Sequence, residues 1–325
     1  MSRFDTAAFG IDISSIQTKI DYAGISPYID FYKVRAVNAT WINQNIADPA
    51  VAKDAMFDKH IQGIYDADGG RPVVAYTVFD PFQDQAGTPT DDRTMKAITN
   101  AIGVKAGASV HGLAVDFEVT KDVNGNTATN NQISTRGKQL IWWMHLEYST
   151  LPLEIYFNPN FVVQYAPDMK VWVDQWCKEG WLSVWVADYR YQRVPYQKIT
   201  NVAWPDFRTT QAPNWPDGKS FPWISNTESY CWQFSGDTYT APGHDGNNGP
   251  STIDANFCKV NKSDLWAHYN FAQRAVTPVT PVTPVTPVTP VTPTDPDLTA
   301  LTAQVAALAA RLDTAEARIN KHLAA

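Results

Sequence analysis

The sequence predicts an α/β fold in which a closed, TIM-like (β/α) barrel takes up most of the chain. Short apolar segments rich in Val, Ile and aromatic residues alternate with helical segments from residue 8 to residue 257. Such alternation indicates βα units around a largely parallel sheet. About eight strands over roughly 265 residues favour a closed barrel over an open sheet. The last units contain little helix, so we expect the barrel to be irregular there.

The predicted elements follow from periodicity and from residues that start or stop helices. Asp48 and Pro49 indicate a helix start, Gly69 and Gly70 its end, and Thr90 the cap of the next helix. Helices are expected at 49–65, 90–105, 132–148 and 168–178. Strands are expected at 8–14, 32–37, 72–79, 112–119, 153–157, 182–187 and 230–234, with a short strand at 199–204 and a closing segment at 251–257.

Residues 112–119, GLAVDFEV, carry two carboxylates at the far end of an apolar strand. Residues i and i+2 of a strand face the same side, so Asp116 and Glu118 should point together, with their Cα atoms about 6.6 Å apart. Phe117 should face the packed helices. Neighbouring carboxylates repel in a low dielectric, and enzymes use such pairs to keep one acid protonated and the other ionised. The alternative is a strand end whose acids are solvated in a loop.

Further acids and aromatic residues lie near the predicted strand ends, where the functional groups of a parallel barrel gather. The acids are Asp12, Asp188 and Asp254, and the aromatic residues are Tyr76, Tyr156, Trp185, Tyr189 and Trp232. No His or Cys has metal-ligand spacing and no phosphate-binding glycine loop is present, so neither a metal nor a cofactor is implied. An acid cluster of this kind indicates glycoside hydrolysis. For each aromatic residue, core packing is the alternative explanation.

Charge and composition exclude several classes of partner. The formal net charge is −7 and the pI is about 5.3, which argues against nucleic acid. No apolar run of about 18 residues exists, so no membrane span is expected. Residues 1–8 lack the apolar core of a secretory signal, so we expect synthesis in the cytosol without Sec-type export. Cys177, Cys231 and Cys258 are expected to be buried thiols, with a Cys231–Cys258 bridge as the alternative.

The composition changes after the barrel. Residues 276–293 are six Val-Thr-Pro triplets, which favour a polyproline II spacer about 56 Å long. We therefore predict a barrel at 1–272, a linker at 273–296 and a helix at 297–325. Apolar positions in that helix alternate spacings of three and four, which predicts a coiled coil and a homo-oligomer. They are Leu298, Leu301, Val305, Leu308, Leu312, Ala315 and Ile319. A lone amphipathic helix on a partner or membrane is the alternative.

Five short segments, in order, resemble glycoside hydrolase family 25, the Chalaropsis-type muramidases. They are GIDIS at 10–14, VDFE at 115–118, WVADY at 185–189, WQF at 232–234 and IDAN at 253–256. The resemblance covers about residues 9–258. Two segments depart from the family pattern: residues 35–38 read RAVN where the family usually has Lys-Ala-Thr/Ser-Glu, and residues 76–78 read YTV where it has Tyr-His-Phe. These departures affect the expected substrate subsites more than the acid pair.

The resemblance implies cleavage of the β-1,4 bond between N-acetylmuramic acid and N-acetylglucosamine in peptidoglycan. Glu118 would be the general acid and base, and Asp116 would orient the substrate N-acetyl group in a substrate-assisted route. Asp12 and Asp188 would hold substrate and tune this pair. Substrate contacts are expected at the cluster's remaining members, Tyr76, Tyr156, Trp185, Tyr189, Trp232 and Asp254.

The biological setting expected from these features is bacteriophage lysis of a bacterial wall. The protein would reside in the host cytoplasm until release through a holin, or it would be carried on a virion. A second hypothesis comes from another class of protein. In it, the chain is a catalytically weak glycan-binding module on an oligomeric stalk, serving as a virion structural or adhesion protein. The acid pair favours the enzyme, while the tail and the altered second and third strands favour the binding module.

Overall fold

A computed structural model describes residues 7–38, 52–82, 88–122, 124–187, 229–239 and 253–272. These residues all belong to the first of two units into which the chain divides, Met1–Val276 and Thr277–Ala325. The predicted strand at 199–204, the linker and the C-terminal helix lie outside the described residues, as do Asp188 and Tyr189. The expectations for these segments therefore stay predictions.

Eight strands form a closed barrel in which each strand neighbours the next and the eighth returns to the first. The first seven run parallel, whereas the eighth is antiparallel to both of its neighbours. The predicted barrel and its irregular end are thereby confirmed. The strands are β1 (Ala7–Ile13), β2 (Phe31–Asn38), β3 (Val73–Val78), β4 (Gly112–Phe117), β5 (Leu153–Phe157), β6 (Leu182–Ala187), β7 (Ser229–Tyr239) and β8 (Ile253–Asn261).

The closing strand corrects the sequence interpretation in one respect. The segment expected only to close the domain, 251–257, is part of β8, which lies between β7 and β1. β7 also extends well beyond the predicted 230–234. The alternation of apolar and polar residues indicates which residues of a strand share a face, but it does not indicate whether the strand runs parallel or antiparallel to its neighbours. The antiparallel direction of the final strand was therefore not predictable from the sequence.

Seven helices are present in the described part of the chain. They are α1 (Tyr22–Ile25), α2 (Phe57–Asp68), α3 (Arg93–Ile102), α4 (Asn130–Glu147), α5 (Pro159–Tyr165), α6 (Met169–Lys178) and α7 (Lys262–His268). Short 3₁₀ turns follow α1 and α3, at Ser26–Tyr28 and Gly103–Lys105. None of the helices in these segments is both long and apolar enough to cross a membrane.

Helix ends were predicted less well than helix positions. α2 begins at Phe57 because Lys53 instead bridges to Val37 in extended conformation, but it ends at Gly69, with φ of 84°, as expected. The cap of α3 is Asp92, whose Oδ1 accepts from the Met95 amide at 3.0 Å, and not Thr90. The sequence interpretation missed the three shortest helices, α1, α5 and α7.

Phe117 faces the helices outside the barrel, as predicted for the residue between the two acids. Its ring packs 4.6 Å from that of Phe79, measured between centroids, and lies directly against Gly137 of α4. A side chain at position 137 would collide with this ring. The outer face of β4 therefore fixes where α4 lies, and it leaves Asp116 on the inner face.

The amino-terminal end of the barrel interior is closed by aromatic side chains. Phe31 packs against Gly10, where a Cβ would lie 2.5 Å from the ring. Tyr269, which follows α7, packs over Gly112 in the same way, at 2.8 Å from the position of an added Cβ. The apolar floor thus leaves the carboxyl ends of the strands as the open end of the barrel.

An ionic layer lies above this floor. Lys33 of β2 and Glu154 of β5 form an ion pair with both side chains fully buried, and the Tyr269 hydroxyl donates to Glu154 Oε1. The ammonium nitrogen of Lys33 also lies 4.0 Å from the centroid of the Trp185 ring. Burial lowers the pKa of Lys33, and the charge of Glu154 opposes that change.

Candidate active site

The carboxyl ends of the strands bring most of the predicted site residues together inside the barrel mouth. Asp12 of β1 and Asp254 of β8 are register partners, as are Asp116 of β4 and Tyr156 of β5. Tyr156 is in turn the register partner of Trp185 on β6. Because side chains alternate along a strand, each lies on the inward face of its own strand.

Asp116 is a buried acid on the inner face of β4. Its side chain is 7% exposed, and its Oδ1 atom is buried with no hydrogen-bond partner in the structure. Burial raises the pKa of Asp116 well above its usual range, and the charges of Glu118 and Asp12 raise it further. Arg35 opposes this rise. A buried acceptor without a partner carries a free-energy cost that a ligand donor would relieve.

Glu118 is the first residue after β4, which ends at Phe117. The prediction that Glu118 lies within the strand was therefore wrong. Its side chain is exposed at the mouth, where a ligand can reach it. Desolvation by the surrounding protein nevertheless raises its pKa, the Tyr156 hydroxyl opposes this rise, and the charge of Asp12 adds to it. An accessible carboxyl with a raised pKa has the properties of a general acid near neutral pH.

Asp12 is held by two side-chain amides. Its Oδ2 atom accepts from Asn256 Nδ2 at 2.8 Å and from Gln233 Nε2 at 3.0 Å. The same Gln233 nitrogen lies 3.2 Å from Asp254 Oδ2. Burial raises the pKa of Asp12, while these amides, Asp254 and Lys33 oppose the rise. The Asp12 carboxyl is thus held as a hydrogen-bond acceptor by Asn256 and Gln233.

Arg35, one of the departures from the family pattern, lies at the rim of the mouth. Its Nε donates to Asp54 Oδ2 at 2.8 Å, and its Nη2 donates to Ser15 Oγ at 2.8 Å. Asp54 also accepts from the Ser15 amide, so the three residues tie the end of β1 to the segment before α2. Burial raises the pKa values of Tyr76 and Asp116, and the positive charge of Arg35 opposes this rise.

Trp185 forms a wall beneath the carboxylates. Its side chain is 2% exposed, its ring centroid lies 4.3 Å from that of Tyr156 and 6.0 Å from that of Tyr76, and its Nε1 donates to Asn256 Oδ1 at 2.8 Å. In this structure Trp185 therefore supports the site from below, whereas a direct substrate contact was expected.

Trp232 does not lie at the mouth, which corrects the prediction of a substrate contact there. It points to the outer face of β7 and is fully buried in the same apolar core as Phe257. Its neighbour Gln233 occupies the inward position instead. The error is one of parity: adjacent strand residues face opposite sides, and the sequence does not say which side is the interior.

Four functional residues were missed by sequence reasoning: Gln233, Asn256, Lys33 and Glu154. Each is a polar residue on a largely apolar strand. Each lies at an inward position, in the alternating series i, i+2 whose other members also face the interior. That pattern is a usable signal, because a polar side chain inside a barrel needs a partner there. Gln233 and Asn256 also lie within two of the motifs that suggested the family resemblance.

Cys231 and Cys258 form a disulfide between β7 and β8, with a Cα–Cα distance of 4.1 Å. The bridge was the alternative to buried thiols, and the structure supports it. Both cysteines are inward residues, two positions away from Gln233 and Asn256 respectively. The disulfide therefore joins the two strands that hold Asp12. Among the described residues, no group of three His, Cys, Asp or Glu side chains is arranged to hold a metal ion.

Comparisons with known proteins bear on the fold. No protein-family profile and no curated protein matches the chain significantly. Among solved structures, a family 25 glycosyl hydrolase from Bacillus anthracis aligns with a TM-score of 0.50 and 14% identity, over 83% of this chain and 95% of that one. The Clostridium perfringens spore cortex lytic enzyme SleM aligns with a TM-score of 0.51 and 16% identity, over 78% and 67%.

A third structure, the catalytic domain of endolysin ply40 from bacteriophage P40 of Listeria monocytogenes, aligns with a TM-score of 0.46 and 16% identity, over 82% of this chain and 98% of that one. The first two alignments show that the chain shares its barrel fold with these proteins. The resemblance drawn from the five sequence segments is thereby confirmed at the level of the fold.

Proposed function

We propose that the protein is a peptidoglycan hydrolase, an N-acetylmuramidase that cleaves the β-1,4 bond between N-acetylmuramic acid and N-acetylglucosamine. One observation carries the proposal: Asp116, buried with an unpartnered oxygen, lies beside the exposed acid Glu118 at the open end of the barrel. The fold shared with a family 25 glycosyl hydrolase and a spore cortex lytic enzyme supports the same reaction class.

Glu118 is the proton donor in this proposal. Its exposure gives access to the bridging oxygen of a bound glycan, and its raised pKa keeps a proton on it at higher pH than for an ordinary glutamate. As the bond from C1 to the bridging oxygen breaks, the proton passes from Glu118 to that oxygen. Glu118 is left as a carboxylate, which can then take a proton from the incoming water.

Asp116 acts on the sugar that keeps C1. In the substrate-assisted route, the acetamido oxygen of that sugar attacks C1 while the bridging oxygen leaves. The acetamido N–H becomes more acidic as this happens, and Asp116 Oδ1 is the acceptor available for it. Water then attacks C1 and restores the acetamido group. Asp12 and Asp188 complete the proposal as acids that hold substrate and tune the pair, and Asp254 as a further substrate contact.

The chemistry of the released ends tests this proposal. Purified peptidoglycan is digested with the full chain, the products are reduced with borohydride, and the fragments are identified by mass spectrometry. A muramidase leaves muramic acid at the reducing end, so N-acetylmuramitol should form. Formation of N-acetylglucosaminitol would assign the other glycosidic bond, and release of peptides alone would exclude a glycosidase.

The binding-module hypothesis predicts a different outcome of the same experiment. Arg35 replaces the family's usual lysine and is committed to Asp54 and Ser15, so the rim of the mouth is altered even though the acids are intact. A binding module would sediment with insoluble walls and release no new reducing ends. Sedimentation together with N-acetylmuramitol formation supports the enzyme.

The biological setting belongs to the proposal as well. We infer that the enzyme serves wall lysis by a bacteriophage, either after holin-mediated release from the host cytoplasm or as part of a virion. Expression in a susceptible bacterium with and without a pore-forming holin tests the first route. Lysis that depends on the holin supports it, and lysis without the holin contradicts it.

A further inference from the structure

A tryptophan, an amide and a carboxylate form a buried hydrogen-bond chain inside the barrel. Trp185 Nε1 donates to Asn256 Oδ1 at 2.8 Å, and Asn256 Nδ2 donates to Asp12 Oδ2 at 2.8 Å. The exposed fractions of the three residues are 2%, 0% and 6%. Both bonds are therefore shielded from water and have the length of well-formed hydrogen bonds.

The chain joins strands that are not all neighbours. β8 pairs with β1, and this pairing brings Asn256 close to Asp12. β6 and β8, in contrast, are separated by β7. The side chain of Trp185 therefore reaches across the barrel interior past β7, and its indole nitrogen places a donor at the far side of that gap.

The surroundings of the Trp185 ring fix the direction of its N–H group. The ring centroid lies 4.3 Å from that of Tyr156 and 6.0 Å from that of Tyr76. The ammonium nitrogen of Lys33 lies 4.0 Å from the same centroid. Because side chains of three other strands pack against it, the indole has little freedom to turn, and its N–H stays directed at Asn256.

The orientation of the Asn256 amide decides which group Asp12 meets. An indole N–H can only donate, so the amide turns its oxygen to Trp185 and its nitrogen to Asp12. The reverse orientation would place two donors together at Trp185 and an amide oxygen against the Asp12 carboxylate. A donated N–H favours the ionised form of a carboxyl, whereas an amide oxygen favours the form that carries a proton.

We propose that Trp185 is a positioning residue that locks the Asn256 amide and thereby holds Asp12 at the mouth as an ionised hydrogen-bond acceptor. Burial raises the pKa of Asp12, and the bond from Asn256 opposes this rise, which is the direction that the proposal requires. The role of Asp12 in holding substrate rests on the proposed function, but the hydrogen-bond chain does not. Trp185 acts on a substrate only through Asn256 and Asp12.

The other charged and titratable groups of this part of the mouth come from several strands. In the described part of the chain they are Lys33 and Arg35 from β2, Tyr76 from β3, Asp116 from β4, Glu118 directly after β4, Tyr156 from β5 and Asp254 from β8. Gln233 of β7 also donates to Asp12 Oδ2. Trp185→Phe leaves all of these residues in place and keeps an aromatic ring beside Lys33, so it removes chiefly the indole N–H.

Titration of the Asp12 carboxyl carbon by NMR tests the proposal without requiring activity. In protein labelled with ¹³C-aspartate, the resonance is assigned by its absence in Asp12→Asn. Trp185→Phe frees the Asn256 amide to turn, so the Asp12 midpoint should rise by about one pH unit. Trp172→Phe is the matched control, because Trp172 is also buried and its indole nitrogen donates to Ser134 Oγ at 3.1 Å, between α6 and α4. This variant should leave the Asp12 midpoint unchanged.

A second substitution separates this route from a general disturbance of the barrel. Asn256→Leu removes the amide itself and should raise the Asp12 midpoint at least as much as Trp185→Phe does. In an Asn256→Leu background, Trp185→Phe should have no further effect. If Trp185→Phe leaves the midpoint unchanged, or if its effect persists in Asn256→Leu, the proposal is wrong.

The wild-type protein offers a readout that needs no substitution at position 185. The indole proton of Trp185 is identified by NMR through its contacts with the side-chain amide of Asn256. Its chemical shift should change with pH at the Asp12 midpoint, because the amide transmits the change in charge. An indole shift that stays constant while Asp12 titrates would contradict the proposal.

The pH dependence of KM for soluble wall fragments is the matching activity measurement. As pH is lowered, KM should begin to rise at a higher pH in Trp185→Phe than in the wild type, whereas a purely structural defect would raise KM equally at every pH. The two readouts also separate the two proposals. A raised NMR midpoint in a protein without hydrolytic activity would retain the role of Trp185 and overturn the proposed function.

Discussion

Lys33 and Glu154 lie on different strands of the barrel, β2 and β5, and form an ion pair that is completely closed off from solvent. The Tyr269 hydroxyl donates to Glu154, and the Trp185 ring lies against the Lys33 ammonium group. Removing two charges from water is costly, but removing only one member of a buried pair costs more, because the other charge is left alone. The pair therefore makes the barrel interior sensitive to single substitutions.

Lys33→Met should destabilise the protein by about 3–5 kcal/mol, because Glu154 would remain buried without its counter-charge. The double variant Lys33→Met with Glu154→Leu should recover a large part of this loss. Urea unfolding followed by fluorescence measures both. Single and double variants that lose stability to the same extent would show that the two charges are not coupled.

Asp116→Asn should raise stability at neutral pH while it removes activity. The folded-state pKa of Asp116 is raised above its unfolded value of about 4, so its contribution to stability is present below pH 4 and is lost as pH rises through the raised pKa. Asparagine avoids the cost of ionising this buried group. We expect a gain of about 1 kcal/mol or more at pH 7, disappearing toward pH 4, in thermal unfolding.

Asp122→Asn is the matched control for that measurement. Asp122 is exposed, and hydrogen bonds from Asn126 hold its pKa below the usual range, which is the opposite direction. The ionised Asp122 carboxyl contributes to stability above its pKa in the unfolded chain, and this contribution is lost as pH falls through its lower pKa in the folded protein. Asp122→Asn should therefore bring no gain in stability at pH 7. A gain in this variant equal to that of Asp116→Asn would contradict the explanation by burial.

The Cys231–Cys258 disulfide should contribute about 3.5 kcal/mol to stability, given the 27 residues that separate the two cysteines. Replacing both with alanine should lower the free energy of unfolding by about this amount. Because the bridge joins the strands of Gln233 and Asn256, activity should fall as well. A reductant should destabilise the native protein and leave the double variant unchanged, and equal sensitivity in both would argue against the bridge.

The tail prediction concerns residues outside the described structure. The heptad pattern in 297–325 should make the full chain oligomeric, with a mass above 36.2 kDa that rises with concentration. Leu308→Asp with Leu312→Asp should return it to monomer. Light scattering at several concentrations decides, and a constant monomer mass for the wild-type chain would rule out self-association through this helix.

The barrel was predictable because strand and helix periods alternate clearly, and the acids were predictable because carboxylates are rare inside apolar strands. Asp12 and Asp116 converge at the mouth as expected from the rule that parallel strands present functional groups at their carboxyl ends. Asp254 joins them from the amino-terminal start of the antiparallel β8. Glu118 joins them from the first position after its strand.

The partners of these acids were not predictable from one sequence. Gln233 and Asn256 reach Asp12 because β8 lies antiparallel between β7 and β1. The alternation of apolar and polar residues in a strand is the same for either strand direction, so the sequence did not predict this arrangement. The same limit applies to Lys33 and Glu154, which are 121 residues apart. Trp232 was predicted to face the barrel interior, which is wrong. Whether a strand residue faces inward or outward depends on the register of the strand, and only the folded sheet defines that register.

The central claim is that Glu118 donates the proton in glycan cleavage, and Glu118→Gln tests it most directly. The variant keeps the shape of the side chain and removes the transferable proton. With release of new reducing ends from purified peptidoglycan as the readout, it should lower the rate at least about 100-fold while thermal unfolding and wall binding stay unchanged. Glu147→Gln, an exposed glutamate at the end of α4, should keep the wild-type rate. Near wild-type release of reducing ends by folded Glu118→Gln would contradict the account.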